Sequence, residues 1–382
     1  MTHGGIVTSG YLEYRPHLAE APEGEDALIE KMVQDLEKNN LHQYTRSVND
    51  PKLWRHDKPH AIRDAHAKSH GILYGELTVL PDLDPALRQG MFAEPGRTYE
   101  VIARISSTSG AIRSDQVRGV RGLGLKVLGV EGERVDKERF PENQDFVFVT
   151  EPAFLFKDAE DYAHGGMRTA KALSHTPDWG MMTLNRLLRA VRRAVESVGG
   201  TLPPKLRVFA DPNRHVLGQP FYTAAPIRYG QFVAKLSVTP KSDSVRALAN
   251  TTIDPHGSQA LTDAVTGFFA SNSAEYTVSV QLCTNTTDMP IEDATKEWPE
   301  DLSPYRPVAT IVYPQQTAYS DALRDFGDDV LTINSWRAIE EHIPLGSINR
   351  LKLRVYEASS DFRHKLNCVE RFEPTDLTSM PG

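Results

Sequence analysis

The sequence predicts an α+β fold: a mostly antiparallel β-barrel of about eight strands, with helical insertions and a helix near the C-terminal end. Three observations predict it. Short runs rich in β-branched and aromatic residues, bounded by Gly, Pro, Asp or Asn, recur along the chain. Helical patterns do not alternate regularly with them, which argues against a parallel βαβ array and for antiparallel strands that close on themselves. The chain has 382 residues, of which 40% are apolar and 25% charged. Those are ordinary globular values, and they exclude global disorder and collagen-like or low-complexity chains.

The elements come in order along the chain. Residues 1–50 read as a polar arm whose helix, from about Gly24 to Lys38, places Leu28, Ile29, Met32, Val33 and Leu36 on one stripe. Pro51 and Pro59 punctuate the stretch after the arm. Strands are expected at 71–80, 98–106, 121–128 and 145–150, then at 231–238, 276–283 and 308–313. A helical insertion near 155–210 interrupts them. Within it, 181–198 carries Leu184, Leu187, Leu188, Val191 and Val195 at helical spacing, and Gly199-Gly200 ends it. Arg186, Arg189, Arg192 and Arg193 form its basic face, read as solvated. Further helices are expected at 259–270 and from Ser347. The barrel domain is therefore 51–345 and the C-terminal helix and tail 346–382, one large domain with attachments.

Composition narrows function. Lys plus Arg number 43 against 51 Asp plus Glu, a net charge of −8. That balance argues against general nucleic-acid binding and against attraction to an anionic membrane. Only Cys283 and Cys368 are present, which excludes a disulfide scaffold, a four-cysteine zinc site and a thiolate-held iron–sulfur cluster. Both are read as buried structural thiols. The start, Met1-Thr2-His3-Gly4-Gly5, has no basic or apolar leader pattern, and no run of about 18 apolar residues is present, so a cytoplasmic location is expected.

Two motifs are set aside. Gly119-Val-Arg-Gly122-Leu-Gly124 superficially suggests a phosphate loop, but a strand pattern comes after it where a helix is needed. His66 and His70 have the spacing of a helical metal pair, but Gly71 and a strand come directly after.

Four segments carry chemistry. Arg63-Asp-Ala-His66-Ala-Lys68 precedes the first strand, and Ala103-Arg104-Ile105-Ser106-Ser107 ends the second. Pro141-Glu142-Asn143-Gln144-Asp145 precedes Phe146-Val-Phe148-Val, and 349–356 leads on to Phe362-Arg363-His364. Arg104 and Ser106, two apart on a strand, face the same way. Lys352, Tyr356 and Arg363 share one helical stripe. Cations beside a phenol favour phenolate, a hard anionic ligand suited to ferric iron. The bland alternative is a tyrosine at the edge of a core helix beside surface cations.

These segments resemble the monofunctional haem catalase family, most like its small catalase-related members. Arg63-x-x-His66-Ala-Lys68 resembles the distal-histidine motif, and Arg104-x-Ser106 the strand that orients that histidine. Asp115-x-Val117-Arg118-x-x-Arg121-Gly122 with Lys126 resembles the family's Asp–Arg–Gly stretch. Asn143, Phe148 and Phe156 resemble the distal asparagine and the phenylalanines near the haem. Tyr356 and Arg363 resemble the axial tyrosine and a propionate-binding arginine. Lys352 stands where the family has arginine, Ser69 replaces a usual glycine, Ala65 replaces a bulkier residue, and the chain is shorter than typical members.

The resemblance implies haem b buried in the barrel, with Tyr356 as the axial iron ligand. It implies His66 as acid–base group, Ser106 as its orienting partner and Asn143 as peroxide holder. It assigns Arg63, Arg104 and Arg363 to the propionates, with a salt bridge within the barrel as an equal reading for Arg104. Lys352 would support the tyrosinate, and Phe148 and Phe156 would pack on the porphyrin. The implied activity is catalase or peroxidase breakdown of hydrogen peroxide through a ferryl state, with an organic reductant as a second substrate. Rearrangement of fatty-acid hydroperoxides and non-catalytic haem binding are the alternatives. The implied partners are these small molecules and further copies of the chain, engaged through the arm.

Overall fold

The computed structural model describes residues 10–136, 142–254 and 256–381. Residues 1–9 of the expected arm and Pro141 of the third chemical segment lie outside them.

Nine strands are present among the described residues: β1 (Ser69–Val79), β2 (Thr98–Ser107), β3 (Arg121–Val127), β4 (Gln144–Val149), β5 (Phe221–Tyr222), β6 (Ile227–Tyr229), β7 (Phe232–Pro240), β8 (Ala274–Leu282) and β9 (Arg306–Tyr313). They pair antiparallel in the order β5-β4-β3-β2-β1-β9-β8-β7, and β5 pairs back onto β7. Eight strands thus close a barrel, while β6 hooks onto β7.

The two-residue period of each strand sorts its side chains. Val101, Ala103 and Ile105 of β2, Leu123, Leu125 and Val127 of β3, and Phe146 and Phe148 of β4 fill the barrel interior with Leu73, Leu236, Val278 and Ile311. The interior is therefore a packed core and not a ligand chamber. The alternate residues, Arg104, Ser106, Gly122, Gly124 and Val147, form the outer wall of β2–β4.

Two helices cover that side. The C-terminal helix, Ser347–Asn367, begins after Gly346, whose φ of +84° and closeness to the Ile291 carbonyl exclude a side chain. It ends where Cys368 turns left-handed, and that thiol is exposed, unlike buried Cys283. The N-terminal helix is longer than its apolar stripe predicts and runs from Glu25 to Asn49. Its Ile29, Met32 and Val33 pack on Leu351 and Val355, each buried side chain contributing roughly 1.5–3 kcal/mol. Arg350 joins the two helices through Glu25 and also reaches Glu292. The insertion consists of helices Met167–His175, Asp178–Ser197 and Pro204–Ala210. On its basic face Arg186 and Arg193 are exposed, whereas Arg192 is tied to Glu196 and Asp211.

Candidate active site

A cavity of about 340 Å³ lies between the outer barrel wall and the C-terminal helix, within the range of small-molecule sites. It is lined by Arg63, His66, Arg104, Ser106, Tyr356 and Arg363, with Gly124, Val147 and Ile333 as an apolar wall. The expectation of a chamber inside the barrel is corrected by this placement.

His66 stands in the segment leading into β1. Its φ is +56°, a left-handed conformation uncommon for histidine. Three contacts hold it. Its N–H donates to Thr108 O at 3.2 Å, its carbonyl accepts from Arg104 Nη2 at 2.8 Å, and Nδ1 lies 2.9 Å from Ser106 Oγ. With Nδ1–H donating to Ser106, Nε2 is left as a lone pair for the cavity. The register of β1 on β2 slips between Ser69 and Gly71, so His70 is a bulge beside the site. Its Nε2 meets Ser107 Oγ at 2.8 Å. Burial, with Arg104, Arg63 and Lys352 adding to it, pulls the His66 pKa down to about 3, so the ring is neutral at physiological pH.

Arg104 fits both the ion-pair and the propionate reading. Its Nη2 donates to Asp328 Oδ1 at 2.7 Å, a buried ion pair, yet its Nε is buried without a partner. Arg63 donates through Nη2 to Gly327 O and Leu331 O at 2.9 and 2.6 Å, and its Nε is also unpartnered. Arg363 leaves both Nε and Nη2 unpartnered. Unmade hydrogen bonds at buried guanidinium groups are costly. Asp328 and Asp329 sit on a π-helical turn, Phe326–Val330, and Arg55 reaches both, at 3.4 and 3.0 Å. Burial alone would raise Asp328, but Arg104, Arg55 and Arg63 outweigh it and hold its carboxyl below the usual range. Asp64 is pushed up, toward its neutral form, by burial. Arg55, Arg63, Arg104 and Arg363 thus cluster around Asp328 and Asp329, with Asp325 also 3.6 Å from Arg55. The orphaned guanidinium donors fit an anionic ligand such as the propionates of a haem.

Tyr356 and Arg363 lie seven residues apart on the C-terminal helix and both line the cavity. The phenol does not behave as the cation stripe predicts. Burial, then Asp64 and Tyr162, push its pKa up, and Arg63 opposes them only in part. Lys352 is absent from the lining; it points into a separate crevice, with Nζ 3.4 Å from Asn349 Oδ1. Tyr356 is therefore held as a neutral phenol.

Three other expected residues lie elsewhere. Asn143 is buried away from the cavity, its Nδ2 donating to Pro374 O at 2.9 Å. Phe148 faces the barrel interior because Val147 takes the outward position. Phe156 packs edge-on against Tyr162, at 5.3 Å between ring centroids, and is not in the cavity wall. Sequence reasoning missed Asp328, Asp329 and Glu373, which no local motif marks. It also missed the role of Gly122. Gly122 faces Ser106 across β2–β3, and strand alternation alone would have put it beside the histidine.

Comparison with known proteins relates the chain to catalases. The catalase family model matches residues 51–184. That stretch contains His66, Arg104, Ser106 and Gly122. The chain is 34% identical over 97 residues to a catalase of Staphylococcus warneri, which is 25% of this chain and 17% of that protein. It is 31% identical over 128 residues to catalase A of Staphylococcus xylosus, 32% of this chain and 24% of that protein. Among solved structures, a fungal catalase superposes with a TM-score of 0.55 at 16% identity, covering 80% of this chain and 60% of the other. Catalase A from Saccharomyces cerevisiae gives 0.53 at 19% identity, with 82% and 65% covered. The chain thus spans less than two thirds of the length of each of these relatives. The catalase family model thus matches about a third of the chain, residues 51–184, and the fold of the whole is similar to that of solved catalases.

Proposed function

We propose that the chain binds haem b in the outer-wall cavity and breaks down hydrogen peroxide, as a catalase or as a peroxidase drawing on an organic reductant. The observation that carries this reading is a convergence on one cavity: His66 backed by Ser106, the phenol of Tyr356, and three guanidinium groups with unused donors. Tyr356 Oη would hold the iron, and Arg63, Arg104 and Arg363 would meet the propionates. Bound there, haem supplies the redox centre at which the peroxide O–O bond breaks.

The chain's own residues manage the proton. Ser106 accepts from His66 Nδ1–H and fixes the tautomer. His66 Nε2 then takes the proton from the nearer peroxide oxygen and hands it to the farther one, which leaves as water. The depressed pKa keeps His66 unprotonated at neutral pH, so its Nε2 lone pair is free. Gly124, Val147 and Ile333 give the cavity a dry wall that keeps the peroxide from competing water. The scarcity of cysteine supports a reducing, cytoplasmic setting, and the family resemblance supports assembly with further copies of the chain.

Titration of the purified full chain with hemin, followed by addition of hydrogen peroxide, tests the reading. Expected are saturable one-to-one binding and release of oxygen or oxidation of a phenolic donor. His66→Ala should retain the haem and lose turnover by at least about a hundredfold. A chain that does not bind hemin contradicts the proposal.

A further inference from the structure

The helix Asp178–Ser197 turns one side to the protein and leaves the other bare. Its buried residues are Met181, Asn185 and Leu188, at i, i+4 and i+7. Asn185 donates through Nδ2 to Phe209 O at 2.8 Å and accepts from Arg118 N at 3.1 Å. Leu188 packs with Leu202 and Ala210. These contacts fix which side faces outward. Leu184, Leu187 and Val191 run along one flank of that side, and Leu187 is 60% exposed. Trp179, two turns before Leu187, is 70% exposed, and Val198, at the helix end, 83%. The other flank carries Arg186, Arg189 and Arg193, at i, i+3 and i+7. Exposed Ala190 and Ala194 lie between the flanks.

Two features set this face apart. Trp179, Leu184, Leu187, Val191, Val198 and Leu206 are six of the 14 large hydrophobic side chains exposed among the described residues. Such a concentration on one short stretch marks an interaction surface rather than scattered exposure. The second feature is charge. The acidic residues of 178–211 are Asp178, Glu196 and Asp211. Asp178 is taken by Arg113 at 2.8 Å, Glu196 by Arg192 at 2.6 Å, and Asp211 also by Arg192. Among the described residues no carboxylate pairs with Arg186, Arg189 or Arg193. The net charge of −8 is a sum over the whole chain. Salt screens charges beyond about 8–10 Å, so a surface in contact with this helix meets the local arginines. The balance that argues against an anionic membrane for the whole chain is reversed on this face.

The occupant follows from shape and charge. The helix is a ridge about 30 Å long, and its outward side is convex. A second copy docking by the same face would bring more arginines and no free carboxylate. A lipid surface moulds to a ridge, takes the apolar flank at the acyl boundary and offers phosphates to the arginines. Among the described residues no helix is long and apolar enough to cross a membrane, so the contact is with one leaflet from outside.

We propose that this helix docks the chain on an anionic phospholipid surface, with Leu184, Leu187 and Val191 entering the acyl boundary and Arg186, Arg189 and Arg193 meeting headgroup phosphates. None of these residues lines the cavity, and the proposal does not rest on the haem reading.

Co-sedimentation of the full chain with vesicles tests this, using phosphatidylcholine alone or mixed in equal parts with phosphatidylglycerol. Expected is binding to the mixed vesicles that weakens as salt is raised, with little binding to phosphatidylcholine alone. Leu187→Asp with Val191→Asp should abolish it. Arg186→Gln with Arg193→Gln should weaken it by about thirtyfold. All four positions are exposed, so the Tm and hemin binding should stay those of the wild type. No binding to the mixed vesicles overturns the proposal, as does binding that both double variants retain. A dimer that Leu187→Asp with Val191→Asp dissolves, in a chain that ignores vesicles, assigns the face to a second copy and overturns it too. Should the aspartate variant not fold, the arginine variant decides, and undiminished binding there contradicts the proposal. Hemin titration is a separate readout, so failure here is distinct from failure of haem binding.

Discussion

His66 lies directly over Gly122. A Cβ on Gly122 would stand 2.5 Å from His66 Nδ1, closer still to Cε1, and 3.2 Å from Ser106 Oγ. No side chain fits there without moving the ring off its serine. Gly122→Ala is therefore expected to cost about 1–3 kcal/mol by overpacking and to lower peroxide turnover far more than hemin affinity. Steady-state kinetics beside hemin titration checks it. Unchanged turnover in a folded Gly122→Ala chain would separate the ring's position from the chemistry.

The Arg104–Asp328 pair bridges residues 224 apart in sequence and locks the left-handed His66 through its carbonyl. Asp328→Asn leaves Arg104 buried with less compensation, and a loss of about 3–5 kcal/mol in urea unfolding is expected. The folded-state pKa of Asp328 is depressed. Its contribution is therefore present above the unfolded carboxylate value of about 3.9 and is lost as pH falls below that through the folded value. Asp328→Asn should remove part of the acid-limb stability slope; an unaltered slope would show that the pair is not the source.

His66 titrates in the opposite sense from a paired histidine. Its folded pKa, about 3, lies below the unfolded value of about 6.5. The unfolded chain binds the proton first, so stability is complete above about pH 6.5 and declines as pH falls toward 3, by up to about 1.4 kcal/mol per unit. His66→Gln should flatten that decline between about pH 6.5 and 4.5. For the same reason kcat/KM should stay level from about pH 8 to about 5, with no step near 6.5.

Much of the fold is legible in the sequence because it is written locally. Seven strands are marked by their composition and bounding residues. β5 and β6, of two and three residues, are too short to show a period. The second half of the N-terminal helix is mostly polar, with Asn40 and Ser47 as its buried residues, so no stripe marks it. The site is legible where one element carries it: Arg104 with Ser106, and Tyr356 with Arg363. It is illegible where distant segments meet, as at Asp328 or Glu373. Phe148 shows the limit of spacing alone, since alternation on β4 decides that Val147 and not Phe148 reaches the cavity. Lys352 shares the helical stripe of Tyr356, yet its flexible stem carries the ammonium into another crevice.

Arg363 tests the purpose of the orphaned donors. Two of its nitrogens are buried and unsatisfied, a cost to the cofactor-free chain. Arg363→Met should leave that chain equally stable or up to about 2 kcal/mol more stable, while weakening hemin binding by about tenfold or more. Thermal unfolding with and without hemin reads both. Loss of stability with unchanged hemin affinity would make Arg363 a purely structural residue.

The absorption spectrum of the hemin-loaded protein, compared with that of Tyr356→Phe, bears most directly on the central claim. A high-spin ferric tyrosinate spectrum in the wild type that disappears in Tyr356→Phe is the expected result. A variant that retains stoichiometric haem with an unchanged spectrum would contradict Tyr356 as the iron ligand.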